Sequence, residues 1–460
     1  MITREQAHDI FQRAAKLSEA DEVEVLIGGA SSALTRFANN TIHQNVADEN
    51  HVVSIRVAFD QRTARASTNK FDNQSLKRTV EAAEEMARVQ HPDSDLLPLA
   101  DPKLAPAGKL PQRAFDSTRA LGPSERAEIV AKIVDVATRN HLTTAGICST
   151  SDSIEGIFNS RGLAAFHQQT IAEVSITMLA ADSSGWQKLN SPDARDVDPV
   201  ALAETAAKKA RDSAHPAQID PGKYTVILEP SAVLDIVGYM FYDFGGLSVL
   251  DQRSFLNERV GKQLFGENIT IHDDSHHPLQ AGAPFDGEGV ARERVTLVKD
   301  GVINSLVFAR GTAQRGKNSP LAAYLGSVRA TGHGFPLPNE MGEAPMNIVF
   351  ENAPSNRKTG DEMIASTDRG IYVTRLWYIR EVEPYEKVLT GMTRDGTLLI
   401  ENGKITRGLR NFRFNESLVE MLSKVDAMSE PVRACGEESF DMVVPAMKVR
   451  DFNFTEVTKF

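Results

Sequence analysis

Residues 218–244 read Gln-Ile-Asp-Pro-Gly-Lys-Tyr-Thr-Val-Ile-Leu-Glu-Pro-Ser-Ala-Val-Leu-Asp-Ile-Val-Gly-Tyr-Met-Phe-Tyr-Asp-Phe. Asp220-Pro221-Gly222 is turn chemistry, because proline presets φ and glycine accepts positive φ. Lys223–Leu228 has the β-branched and aromatic composition of a strand, and Pro230 suits the first turn of a buried helix over 232–244. This is the sharpest boundary in the chain. It predicts an α+β fold of two domains: N-terminal helices on a β-meander over 1–219, and a strand-rich C-terminal domain over 220–460.

Upstream, Ala7, Ile10, Phe11, Ala14 and Leu17 form a helical stripe. Short runs at 23–27, 33–38, 41–46 and 51–59 follow, with Gly28-Gly29 and Asn39-Asn40 as expected turns. Helices are expected over 72–89, from Pro123 onward and from Asp198-Pro199 to about 214, where the aspartate caps and the proline takes the first helical position. Further strands are expected at 146–151, 153–158, 164–168 and 171–180. Six prolines between 92 and 123 predict a strap without regular structure. Downstream, Asp300-Gly301, Asp395-Gly396 and Asn402-Gly403 read as hairpin turns.

The 460 residues carry 51 Lys plus Arg against 62 Asp plus Glu, a net charge of −11. That argues against direct nucleic-acid binding, whose affinity comes from clustered cations. Two cysteines, Cys148 and Cys435, cannot build a disulfide framework or a paired C-x-x-C cage. The N-terminus lacks an apolar run with a cleavage site, and no 18 consecutive apolar residues occur, so a cytoplasmic location without membrane insertion is expected.

His272-Asp273-Asp274-Ser275-His276-His277 is the densest run of ligand-type residues. It offers His272, Asp274 and His276 (with His277) to a divalent metal, against the plainer reading of a solvated turn closed by Pro278. Asp286 and Glu288 sit two apart, as an acid–base pair can, but the flanking glycines favour a turn. His333, in Thr331-Gly332-His333-Gly334, offers a weak anion cradle. Arg407, Arg410 and Arg413 read as a solvated face, and both thiols as inert.

The order of short motifs adds a resemblance. Arg36-Phe-Ala-Asn-Asn-Thr-Ile-His-Gln44, Asn159-Ser-Arg-Gly162, Asp220–Leu228, Ser254-Phe-Leu256, Ile269–Asp274, Pro284–Val290, Leu297–Val302, Leu389–Gly396, Glu401-Asn-Gly-Lys404 and Ala434-Cys-Gly436 follow one another as in the TldD/PmbA family, the modulators of DNA gyrase. The chain resembles that family over nearly its full length. TldD-type members look like zinc metallopeptidases, with H-E-x-x-x-H on the helix after the D-P-G-x-Y strand and a distal cysteine as third ligand. Two histidines about one turn apart can face one metal, with the glutamate as base.

Here the resemblance carries a departure. Aligning Val237-Gly238-Tyr239 with the family's V-G-H places Leu234 and Tyr239 at the histidine positions and Asp235 at the glutamate. Leucine has no lone pair and neutral tyrosine is a poor zinc ligand, so only Cys435 remains as a residual ligand position. The resemblance thus implies the TldE/PmbA-like branch: a subunit with no intact catalytic residues and no zinc of its own, completing the substrate cleft of a zinc-bearing TldD-type partner that acts on short or unfolded peptides. The alternatives are a homodimeric peptide or small-ligand binding protein, or a divergent metallopeptidase with ligands relocated to His272, Asp274 and His276.

Overall fold

The computed structural model describes residues 1–108, 110–325 and 327–458. The chain is α+β. Helix α1 (Arg4–Leu17) precedes strands β1 (Glu22–Ala38), β2 (Thr41–Phe59) and β3 (Arg62–Thr68) and helix α2 (Asn73–Val89). After the proline-rich stretch come α3 (Asp116–Arg119), α4 (Pro123–Arg139), β4 (Thr143–Asn159), β5 (Ala164–Leu179), β6 (Ser184–Ser191) and α5 (Pro199–Asp212). The six strands form one sheet in the order β3-β2-β1-β4-β5-β6. Position 109 of the expected strap lies outside the described residues, and the rest is irregular apart from α3 and one 3-10 turn at Pro102–Leu104.

The four short runs expected between 23 and 59 are two long strands, paired from Glu22↔Ala58 to Ala38↔Thr41. Asn39 and Asn40, both at positive φ, make the expected hairpin turn. Gly28 and Gly29 instead lie inside β1. A Cβ at Gly29 would come within 2.5 Å of the His51 ring on the paired strand, so this glycine admits a neighbour and ends nothing. In the same way the segments expected at 146–158 and 164–180 are each one strand, β4 and β5.

On one face, α1 and α2 bury Ala7, Ile10, Leu76, Val80 and Ala83 against Val25, Ile55 and Val57. Next to them, α4 and α5 cover Phe37, Cys148, Val174 and Ile176. The opposite face meets the rest of the chain through Ile157, Leu163 and Ala165, which pack on Ala283, Phe285 and Val290.

The remaining chain begins with β7 (Gly222–Leu228) and α6 (Pro230–Val237), followed by β8 (Thr270–Asp273), β9 (Val295–Lys299), β10 (Val302–Ile303) and β11 (Ile348–Glu351). Then come β12 (Arg369–Val373), β13 (Leu376–Glu383), β14 (Val388–Thr393), β15 (Thr397–Glu401), β16 (Lys404–Gly408) and β17 (Phe412–Ser417). The last strands are β18 (Val425–Met428), β19 (Val432–Ala434), β20 (Met442–Val444) and β21 (Met447–Val457). One sheet runs β10-β9-β8-β11-β20-β19; the other runs β13-β14-β17-β21-β7-β12-β15-β16, with β18 also on β21.

Asp300-Gly301 and Asn402-Gly403 turn hairpins as expected. Arg394-Asp395-Gly396 does not. It links β14 to β15, which pair with different neighbours, so its positive-φ residues serve a crossover. The helix expected over 232–244 is α-helical only to Val237 and tightens to a 3-10 helix over Gly238–Phe244. No helix among the described residues is long and apolar enough to cross a membrane.

Candidate functional site

Strand β7 delivers the chain to α6, whose residues from Ala232 to Val237 are all buried. Burial is favoured because five of those six side chains are apolar. Leu234 lies in the largest core cluster. Asp235, 1% exposed, accepts the Leu376 amide at 3.3 Å through Oδ2, while its Oδ1 has no hydrogen-bond partner among the described residues. Burial pushes its carboxyl up to about 7, with Arg375 and the Leu376 amide opposing.

The 435–441 loop lies directly on this helix. A Cβ on Gly436 would sit 2.3 Å from Leu234 Cδ2 and 2.6 Å from Asp235 Oδ1, so only glycine allows the approach. Cys435, beside it, is buried, and its carbonyl accepts the Ser231 hydroxyl at 3.4 Å. Burial, then the Asp441 charge, pushes the thiol up to about 12. The four positions singled out by the resemblance are therefore clustered: Leu234 and Asp235 lie against the loop that carries Cys435, and Tyr239 bonds Glu438 at its middle.

Tyr239 is a strut. Its hydroxyl lies 2.9 Å from the Ile379 carbonyl and 3.3 Å from the Glu438 carboxylate. Glu438 in turn accepts the amides of Tyr378 (2.8 Å) and Ile379 (3.2 Å), pinning a bulge in β13. Tyr239→Phe is expected to cost about 1 kcal/mol in urea denaturation, since it leaves these acceptors one donor short.

Beside the helix, the Arg375 guanidinium stands between the rings of Trp186 (4.3 Å) and Trp377 (4.8 Å), and pairs with Asp395 at 3.1 Å and Glu437 at 3.5 Å. Trp186 comes from β6, and on the same strand Lys188 donates to the Gly436 carbonyl. The N-terminal sheet thus reaches over the site. Sequence reasoning missed Trp186, Arg375 and Glu438, because their meeting joins segments up to about 250 residues apart and only the general enrichment of Trp and Arg at contact sites pointed to them.

These residues do not fit a zinc ion. Leu234 offers no donor atom, the Tyr239 hydroxyl is engaged, and Cys435 alone is one ligand where zinc takes three or four. Nor do His272, Asp274 and His276 converge. His272 bonds Glu351 at 2.6 Å and Thr296 at 3.1 Å, Asp274 accepts the His276 amide and faces Arg294, and the His276 ring is exposed. Among the described residues no three His, Cys, Asp or Glu side chains are grouped to hold a metal.

The solvated turn expected over 272–277 starts later than the sequence suggested, because His272 and Asp273 belong to β8 and are buried. Asp273 accepts His333 Nε2 at 2.9 Å and the amides of Met346 and Asn347, so His333 belongs to a buried hydrogen-bonded pair and makes no anion cradle. Asp286 caps its own turn by accepting the amides of Glu288, Val290 and Gly334, while Glu288 pairs with Arg310 at 3.1 Å.

Comparison with known proteins bears on this geometry. Family models described as PmbA/TldA metallopeptidase domain 1, central domain and C-terminal domain match residues 23–87, 116–214 and 221–456. The chain is 22% identical to the metalloprotease PmbA of Escherichia coli, over 97% of this chain and 96% of that protein. It is 24% identical to a PmbA homologue of Haemophilus influenzae, over 67% of this chain and 72% of that one. Its fold matches the crystal structure of TldE from Thermococcus kodakarensis with a TM-score of 0.84 at 20% identity, covering 97% and 99% of the two chains.

Proposed function

Because the chain belongs to the PmbA/TldD metallopeptidase family, we propose that it is the zinc-free, TldE-like subunit of a two-subunit peptidase in the cytoplasm. The observation that carries this reading is the donor set on α6. Leu234, Asp235 and Tyr239 stand together with Cys435, yet provide one leucine, one buried carboxyl and one engaged hydroxyl. Such a site cannot activate a water on zinc. The partner supplies the zinc, and this chain completes the cleft that receives a short or unfolded peptide. An extended peptide can pair with a strand edge through main-chain hydrogen bonds, and the strand-rich C-terminal half offers such edges.

The test is reconstitution. The isolated chain is expected to contain no stoichiometric zinc and to leave an unstructured peptide intact. Mixed with an H-E-x-x-x-H paralogue from the same genome, it is expected to confer cleavage that a chelator abolishes. Chelator-sensitive cleavage by the isolated chain, or zinc bound through Cys435, would overturn the proposal.

A further inference from the structure

We propose that the groove beside Trp377 binds the C-terminal residue of a peptide, taking its free carboxylate on Arg394 and its apolar side chain on the groove wall. The proposal rests on reading the chain as a peptide-handling subunit, but it requires no partner. The groove, about 520 Å³, lies between the N-terminal sheet and the outer face of β13 and β14, and Leu179, Ser184, Trp377, Tyr378, Met392 and Arg394 line it. That volume suits one or two residues of an extended chain.

Two charged side chains line the groove, Arg394 and Asp395, and the second is already paired with Arg375. Trp377 is flanked by two guanidinium groups, Arg375 and Arg394, each 4.8 Å from its ring. Arg375 is buried and committed to Asp395, which also accepts the Ser184 hydroxyl at 2.7 Å. Arg394 is exposed, and only its Nε approaches a carboxylate, Asp395 at 3.6 Å. Its two terminal nitrogens meet no acceptor among the described residues. A flat guanidinium edge with two free donors matches a carboxylate bidentately. Since the guanidinium carbon lies 4.8 Å from the Trp377 ring centroid, a carboxylate on Arg394 has an apolar surface beside it, which suits an apolar C-terminal residue.

The wall beside it is built. Tyr378 is 54% exposed and holds φ at +54°, a conformation that bulky residues adopt only under constraint. The constraint is the Glu438 carboxylate on its amide, itself braced by Tyr239. The residue at a lost ligand position thus helps present an aromatic ring at the groove.

Acetyl-Ala-Ala-Phe as free acid and as amide are the probes, titrated into the isolated chain while tryptophan fluorescence is followed and calorimetry is run in parallel. The chain has two tryptophans, and Trp186 is buried. A saturable change with the acid is expected, with the amide about tenfold weaker. Trp377→Phe should remove the optical signal, and Arg394→Gln should erase the preference for acid over amide; Arg394 is exposed, so this variant is expected to fold, with circular dichroism as the check. No saturable binding by either method, equal binding of acid and amide, or equal binding of acetyl-Ala-Glu-Phe-amide would overturn the proposal. Because no partner is added, failure of the two-subunit reading leaves this result separately readable.

Discussion

Asp273→Ala is expected to destabilise the protein by about 3–5 kcal/mol, among the largest losses from any single substitution in the chain. Asp273 and His333 are fully buried and bonded at 2.9 Å, and the same carboxylate accepts two main-chain amides, from Met346 at 2.7 Å and Asn347 at 2.8 Å. Alanine removes all three acceptor contacts at once and leaves the His333 Nε2 and two amides without partners, while His333 Nδ1 keeps Thr331. Asp273→Asn keeps an acceptor for the amides, so its loss should be smaller. Burial pushes the Asp273 carboxyl up, but His333, Arg292 and the Asn347 amide outweigh it and hold the group below its ordinary value. A carboxyl depressed in the folded state contributes stability above its unfolded pKa of about 3.9, and that contribution disappears as pH falls through the folded value. Urea denaturation should therefore separate wild type from Asp273→Ala widely at pH 7 and less at pH 2. Equal midpoints at pH 7 would show that the pair contributes nothing net.

This pair also marks where the sequence could and could not be read. Helical periodicity placed α1, α2, α4 and α5 because their apolar residues recur on one face and Asp72 and Asp198 cap the helices they precede. Strand boundaries failed where glycine serves packing, as at Gly29, or where a strand reads as polar, as in Ser184–Ser191. At the site, Leu234, Asp235, Tyr239 and Cys435 were found through the order of family motifs. Their proximity could not be found in the residues alone, since the 435–441 loop returns to α6 only through the pairing of β20 with β11 and β19. For the same reason a histidine-rich hexapeptide offered a metal site beside the plainer reading of a solvated turn. A β-strand sends successive side chains to opposite faces, so His272 and Asp273 diverge to Glu351 and His333.

Asp235 gives the second large effect, and its sign is opposite. The folded-state carboxyl titrates near 7, against about 3.9 unfolded, so the folded protein holds this proton more tightly. The stability it contributes is therefore greatest in acid and falls as pH rises from about 4 to 7, then stays level. A separation of about three pKa units corresponds to roughly 4 kcal/mol over the whole pH range. Arg375 and the amides of Leu376 and Glu438 favour the charged form, the Glu438 carboxylate disfavours it, and burial dominates them all. Asp235→Asn cannot titrate. Its stability relative to wild type should rise by about 2–4 kcal/mol between pH 4.5 and pH 8. Taking that difference cancels other buried groups with shifted titrations, among them His167, Glu288 and Glu416, which both proteins share. Parallel stability curves for the two proteins would mean that Asp235 ionises freely in the fold.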